Sequence, residues 1–385
     1  MTFIIFLIIL GVLVLVHEFG HFLTAKKAGV YVEEFGIGYP PRALTLGKKW
    51  GTKFSLNWIP FGGFVKILGE NYDKEVEKPE SLELKALNKE SKDFSKAPSS
   101  KLQTLRFTQV SRKWQALILA GGVIFNIVFA WILLTFGFVI GVPTPVDNDF
   151  GGTVRDPNLT VVSVLKDSPA QKVGIKTGDK ILSVSIDGEL PLKPSTPEMM
   201  SEFVESSINY VSLQIERGDE EIEYRVVPEK LLDEDTKIIG IGMDMVGTMT
   251  LPVHKAIYQG GKVTISLTYL ITEGLLGLLK DAVRGEADTS QITGPVGIVG
   301  LVGDASKLGF SYLLTFTALI SINLAIINMI PFPALDGGRL LFVAIESITK
   351  KPINPKFAMI VNTVGFGMLI LLMLVVTYRD IAKLF

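Results

Sequence analysis

The chain has 385 residues, 48% of them hydrophobic and 20% charged, with a formal net charge of −1 and no cysteine. A mean hydropathy of +0.39 is too apolar for an ordinary soluble protein, while the charge content is too high for a chain embedded throughout. The near-neutral balance gives no sign of nucleic-acid binding, and the lack of cysteine excludes disulfides and thiolate metal sites.

Residues 3–25 form the first apolar stretch, and crossing a bilayer takes about 20 such residues. A first transmembrane helix is expected over 1–27. It lacks a basic leader and an A-x-A-like site, so it is expected to stay on the protein rather than leave as a signal peptide. Inside it stands His17-Glu18-Phe19-Gly20-His21. A charged group at membrane depth costs about 2.5–3.5 kcal/mol, so such residues are seldom there without a function. At i and i+4 the two histidines project from one helix face, where both can reach a single tetrahedral zinc, and Glu18 is the candidate general base. At about 1.5 Å rise per residue, Lys26 lies roughly 8 Å along the axis from His21, which places the metal below the membrane surface. Taken alone, the segment also reads as a polar cluster whose imidazoles bond to neighbouring helices. His254 is isolated and reads as a surface or linker residue.

Residues 28–70 are rich in Gly, Pro and aromatics, and the alternation in TKFSLNW and GFVKIL predicts short strands, a membrane-associated β region. Residues 71–113, dense in Lys, Glu, Ser and Asn, read as a charged cytoplasmic linker. The second span is expected over 114–142. Basic residues outnumber acidic ones between the first two spans, and Lys350, Lys351 and Lys356 follow the third. Both loops are therefore assigned to the cytoplasm, against a weak contrary signal from Arg379 and Lys383.

Residues 151–247 read as a soluble module with strands in TVVSVL, KILSVSI, YVSLQIER and EIEYRVV. Residues 248–311 form an amphipathic connecting segment, whose 252–282 part is expected to lie along the membrane surface. The third span, 312–339, ends in Asn328-Met-Ile-Pro-Phe-Pro-Ala-Leu-Asp336-Gly-Gly-Arg339. Its prolines break the helix and leave Asp336 on irregular backbone at membrane depth, tolerated only inside protein or a wet cavity. With His17 and His21 it makes a His/His/carboxylate set whose fourth zinc position stays open, although Asp336 alone also reads as an Asp-Gly turn. A fourth span is expected over 357–378. Counting crossings, the first and third spans run in the same sense, so the two half-sites arrive at one face and the module falls on the other.

These motifs resemble the site-2 proteases, specifically the bacterial regulator-of-sigma-E type of intramembrane zinc metalloprotease, and the resemblance covers essentially the whole chain. It implies a polytopic α-helical membrane protein with four transmembrane helices, a membrane-associated β region and one soluble α/β PDZ domain. It implies His17, His21 and Asp336 as ligands of Zn2+ and Glu18 as catalytic base, with Asn328 assisting catalysis. Ala120-Gly121-Gly122-Val123-Ile124-Phe125-Asn126 resembles the family's second-span motif, which makes Asn126 a candidate substrate-binding residue. Gly62 and Gly63 fall in the β region said to receive the substrate as an added strand. VLKDSPAQKVGIKTGDKILSVSIDG is similar to bacterial PDZ domains, with Ile239-Gly240-Ile241 as a candidate peptide-binding loop; a rigid spacer is the plainer reading. The implied activity is cleavage in or near the transmembrane segment of a single-span substrate, an anti-sigma factor or a signal-peptide remnant. The implied location is the bacterial cytoplasmic (inner) membrane, with the active site towards the cytoplasm and the PDZ domain outside; no nucleic-acid partner is expected. The alternative is a membrane-embedded PDZ adaptor or chaperone with a structural metal, disfavoured because a scaffold has no need of an open coordination position.

Overall fold

The computed structural model of the chain describes residues 1–70, 105–147, 150–218, 220–230, 237–286 and 293–382. Most of the expected linker, 71–104, and Lys383 lie outside the described residues. Five described helices are long and apolar enough to cross a membrane. With the sheets between them they make a polytopic membrane protein. Helix α1 (Thr2–Lys27) turns one stripe inward, Ile9, Leu13, His17, Gly20, His21 and Ala25, and ends on Lys26 and Lys27. Its other faces leave Phe3, Ile4, Ile8 and Val12 exposed, as lipid contact requires.

Strands β1 (Val32–Lys49) and β2 (Thr52–Ile67) form a long antiparallel hairpin that turns at Trp50-Gly51, both with positive φ. Its register doubles back. Phe35 pairs with both Phe54 and Val65, and Gly36 with both Ser55 and Phe64, so β2 flanks the start of β1 on two sides. The last part of β2 then lies against α1.

Helix α2 (Arg112–Ile140) is the centre of the membrane half. It crosses α1 where two glycines meet: a Cβ on Gly20 would stand 2.3 Å from Gly121 O, and one on Gly121 would stand 2.6 Å from Thr24 Oγ1. Small residues at such crossings let backbones approach where lipid supplies no hydrophobic drive.

Beyond α2 comes the module. It contains β3 (Val142–Pro145), β4 (Val154–Val164), α3 (Pro169–Val173), β5 (Lys180–Ile186), α4 (Pro197–Ser206), β6 (Val211–Arg217), β7 (Glu220–Val226), β8 (Glu229–Lys230), β9 (Lys237–Ile238) and β10 (Ile241–Met249). Six strands form one antiparallel sheet in the order β3-β10-β4-β5-β6-β7. Ser168 caps α3 by accepting from Gln171 N, and Gly174 ends it in the left-handed region at φ +95°. The core gathers Leu159, Val161, Ile181, Met200, Leu213 and Ile215.

The remaining helices are α5 (Val253–Arg284), α6 (Pro295–Lys307), α7 (Phe310–Met329), α8 (Asp336–Thr349) and α9 (Pro355–Ala382). Helix α5 covers most of the stretch 252–282. Its stripe Val263, Leu267, Ile271 and Leu275 packs on Ala130 and Leu134 of α2 and on Ala318, Ile322 and Ile326 of α7. The four-residue apolar spacing of this stripe meets a protein partner. The segment after the third apolar stretch differs from the expectation: Asp336 does not sit on irregular backbone but opens α8.

Candidate metal centre

Helix geometry brings the first two groups together: the rings of His17 and His21 stand edge to face with centroids 4.8 Å apart. The third arrives from 319 positions away in sequence. Asp336 Oδ2 lies 2.9 Å from His17 Nε2 and 3.2 Å from His21 Nε2, and the two Nε2 atoms are 3.1 Å apart. The three donor atoms lie within 4.8 Å of one another. Both imidazoles are buried and Asp336 is partly open, with a side-chain exposure of 20%.

The loop that delivers Asp336 is built from hydrogen-bonded turns: Phe332 N to Ile330 O at 2.7 Å, then Leu335 N to Phe332 O at 3.2 Å. Ala334 takes a positive φ of +74°. The two glycines after the aspartate are required by space. A Cβ at Gly337 would stand 2.2 Å from Ile330 O, and one at Gly338 would stand 2.3 Å from Phe332 O. Helix α9 buttresses the loop, because Gly365 leaves room for Pro333 and Asn362 Oδ1 accepts from Ala334 N at 3.3 Å.

The centre suits a divalent ion. His21 Nδ1 lies 2.8 Å from the carbonyl of Ile118, which can only accept, so the ring proton sits on Nδ1 and the Nε2 lone pair is free. Gly122 supplies the space: a Cβ there would fall 2.6 Å from both His17 Nε2 and His21 Nε2. Nitrogen and carboxylate donors with an open side match the donor set of a catalytic zinc.

Glu18 sits half-buried next to His17, and the backbone of Val65 in β2 hydrogen-bonds its carboxylate. Gly62 and Gly63 pass along the same stretch of α1. A Cβ on Gly62 would be 3.1 Å from Val14 Cγ1, and one on Gly63 would be 3.7 Å from Glu18 Cγ. Asn126 is fully buried behind the centre, with Nδ2 3.2 Å from His17 Nδ1. Asn328 stands on the last turn of α7, half-buried, and among the described residues no hydrogen bond joins its side chain to the three donors. His254 is exposed at the start of α5.

Three parts of the centre were not singled out from the sequence: the Ile118 carbonyl, the space at Gly122, and an ion pair from Arg339 Nη1 to Glu70 Oε1 at 2.6 Å. The last ties α8, one turn beyond Asp336, to the end of the β region. Gly122 and Asn126 share a helical face with Ile118, and that spacing was the available signal.

Apolar helices that carry two histidines, an aspartate and an adjoining glutamate define a membrane-bound zinc metalloprotease. The model of peptidase family M50 matches residues 5–372. A Clostridium perfringens protein with a provisional zinc-metalloprotease name is 36% identical over 378 residues, covering 97% of each chain. The regulator of sigma-W protease of Bacillus subtilis is 31% identical, covering 100% of this chain and 99% of its own. A zinc metalloprotease of Geobacillus kaustophilus is 29% identical over 99% of this chain and 97% of its own. The chain belongs to peptidase family M50: it is a zinc metalloprotease of the site-2 type, and the adaptor alternative falls away.

Proposed function

We propose that this protease cleaves peptide bonds in or beside the transmembrane segment of single-span membrane proteins, with His17, His21 and Asp336 holding zinc and Glu18 as the catalytic base. The observation that carries this reading is the convergence of three donors on one point of α1, with Glu18 and the edge of β2 alongside. Held there, zinc supplies Lewis-acid polarisation of a carbonyl and a lowered pKa for water. Glu18 takes a proton from the attacking water and delivers it to the leaving amine nitrogen. A helical substrate hides its amides in internal hydrogen bonds, so it must open first. Residues 63–67 pair with β1 on one edge and face Glu18 on the other, so a strand added beside Gly62 and Gly63 would be held extended at the base. Asn328, on the last turn of α7, is kept as a candidate for assisting catalysis.

The reading carries a topology of four crossings: α1, α2, α7 and α9. Thr2 against Gly303, Asp380 against Gly294 and Gly297, and Lys307 against Gly218 gather the start of α1, helix α6, the end of α9 and the module on one side. The donors, the hairpin and the start of α9 gather on the other. Helix α5 leaves the module side and the chain is back there by α6, so α5 adds no net crossing. Positive charge at Lys26, Lys27 and the 350–356 loop makes the site's side cytoplasmic, in a bacterial inner membrane. The module, read as a PDZ domain with its loop at Ile239-Gly240-Ile241, would then stand outside and exclude substrates whose outer domain is intact. The name of the B. subtilis relative favours a membrane protein in transcriptional signalling, such as an anti-sigma factor, over signal-peptide remnants.

The test is cleavage of a model transmembrane peptide by purified protein, with and without chelator and with Glu18→Gln. Chelator-sensitive cleavage lost in the variant is the expected result. Full activity of Glu18→Gln would remove the base assignment.

A further inference from the structure

Among the described residues, Asn126 touches the proposed ligand His17 from behind and is left half-satisfied. It is wholly buried; Nδ2 faces His17 Nδ1 at 3.2 Å, while Oδ1 has no partner among the described residues. Its backbone is fixed, because Ser321 Oγ of α7 donates to Asn126 O at 2.8 Å. The amide can meet His17 Nδ1 through either end, donating from Nδ2 or accepting at Oδ1. A ring nitrogen that carries a proton cannot ligate, so holding zinc through Nε2 demands the tautomer protonated on Nδ1. A half-turn of the amide exchanges its two ends with little change of shape. The turned amide presents Oδ1 to His17 Nδ1–H, satisfies the orphaned oxygen and frees the Nε2 lone pair.

We propose that Asn126 is a positioning residue that selects the tautomer of His17, its amide oxygen accepting from Nδ1–H when the centre holds zinc. This rests on the function proposed above. His21 needs no such device, since the Ile118 carbonyl fixes its proton on Nδ1 in every case. The assignment also differs from a substrate-binding role, because a fully buried side chain behind the ligand offers no surface to a substrate.

The test compares wild type with Asn126→Leu, which keeps the size but has no hydrogen bond, and Asn126→Asp, which can only accept. Zinc affinity is read by chelator competition on detergent-purified protein. Tautomers are read from 15N-histidine spectra, simple because the chain has three histidines. The expected result is about 10–100-fold weaker zinc binding in Asn126→Leu, the usual cost of losing a ligand's outer partner, and recovery in Asn126→Asp. In zinc-loaded wild type, His17 should carry its proton on Nδ1, as His21 does. Equal zinc affinity in Asn126→Leu, or equal weakening in both variants, would overturn the inference. If either variant fails to fold, the wild-type spectra decide: a His17 proton on Nε2 in the zinc-loaded protein sinks it. Wild type that takes up no zinc would instead overturn the proposed metal centre itself, and this inference with it.

Discussion

The module and the metal centre bury polar groups in opposite ways. In the module, Asp179 is fully buried and completely satisfied. Arg217 reaches its two oxygens at 2.6 Å each, and Lys176 N donates to Oδ2 at 2.8 Å. Asp179, by hydrogen bond and charge, holds the guanidinium more firmly protonated than usual. This network lies beside an apolar core that water drives together. Between helices in lipid that drive is absent, so α1 and α2 meet through Gly20 and Gly121, and one buried polar cluster gathers around His17. Polar burial therefore serves stability around Asp179 and chemistry around His17. Damage to either half should leave the other's readout intact.

The sharpest separation comes from Glu18→Gln. The amide keeps the size of the side chain but cannot take a proton. Peptide cleavage should fall by about 10²–10⁴-fold, the usual contribution of a positioned base. Zinc content and the melting of the module should not change. The converse variant, Asp179→Ala, strands a mostly buried guanidinium. Removing one partner of a buried pair costs about 3–5 kcal/mol. Limited proteolysis should then cut within 151–247, while metal analysis still finds zinc bound. Loss of zinc in Asp179→Ala would show that the two halves are coupled and end the comparison.

Legibility followed the same division. His17, Glu18 and His21 could be read because four-residue spacing is local, and Asp336 because the prolines and glycines around it mark a forced turn. Asn126 was named from its motif, and four-residue spacing puts it on one face with Ile118 and Gly122; what that face meets is set by the depth at which Gly20 meets Gly121, which no spacing within one helix encodes. In the module, the four strands read from alternation are β4, β5, β6 and β7. Strand β10 escaped because Gly242 and Gly247 interrupt its alternation, and β3 because its two prolines disguise it. The doubled register of β1 against β2 was also out of reach, since residue pairing across a hairpin depends on bulges rather than on composition.

The smaller effects test how local the membrane centre is. In Gly122→Ala, one methyl group enters the space 2.6 Å from both Nε2 atoms. Neither ring can simply retreat, because Ile118 O and Asn126 hold them from behind. Alanine is also the better helix former by about 1 kcal/mol, so α2 itself should not weaken. Zinc affinity should fall by about 10–100-fold, as for other displaced ligands, with no loss of helix content by circular dichroism. The smallest effect belongs to the contact between halves. Lys176 Nζ reaches Asp304 of α6 at 2.7 Å, but both side chains are well exposed. Screened pairs of this kind contribute about 0.2–1 kcal/mol, so Lys176→Ala should shift module melting slightly and less still at high salt. A large, salt-resistant shift would mean that α6 and the module are welded, and that substrate access could not depend on their moving apart.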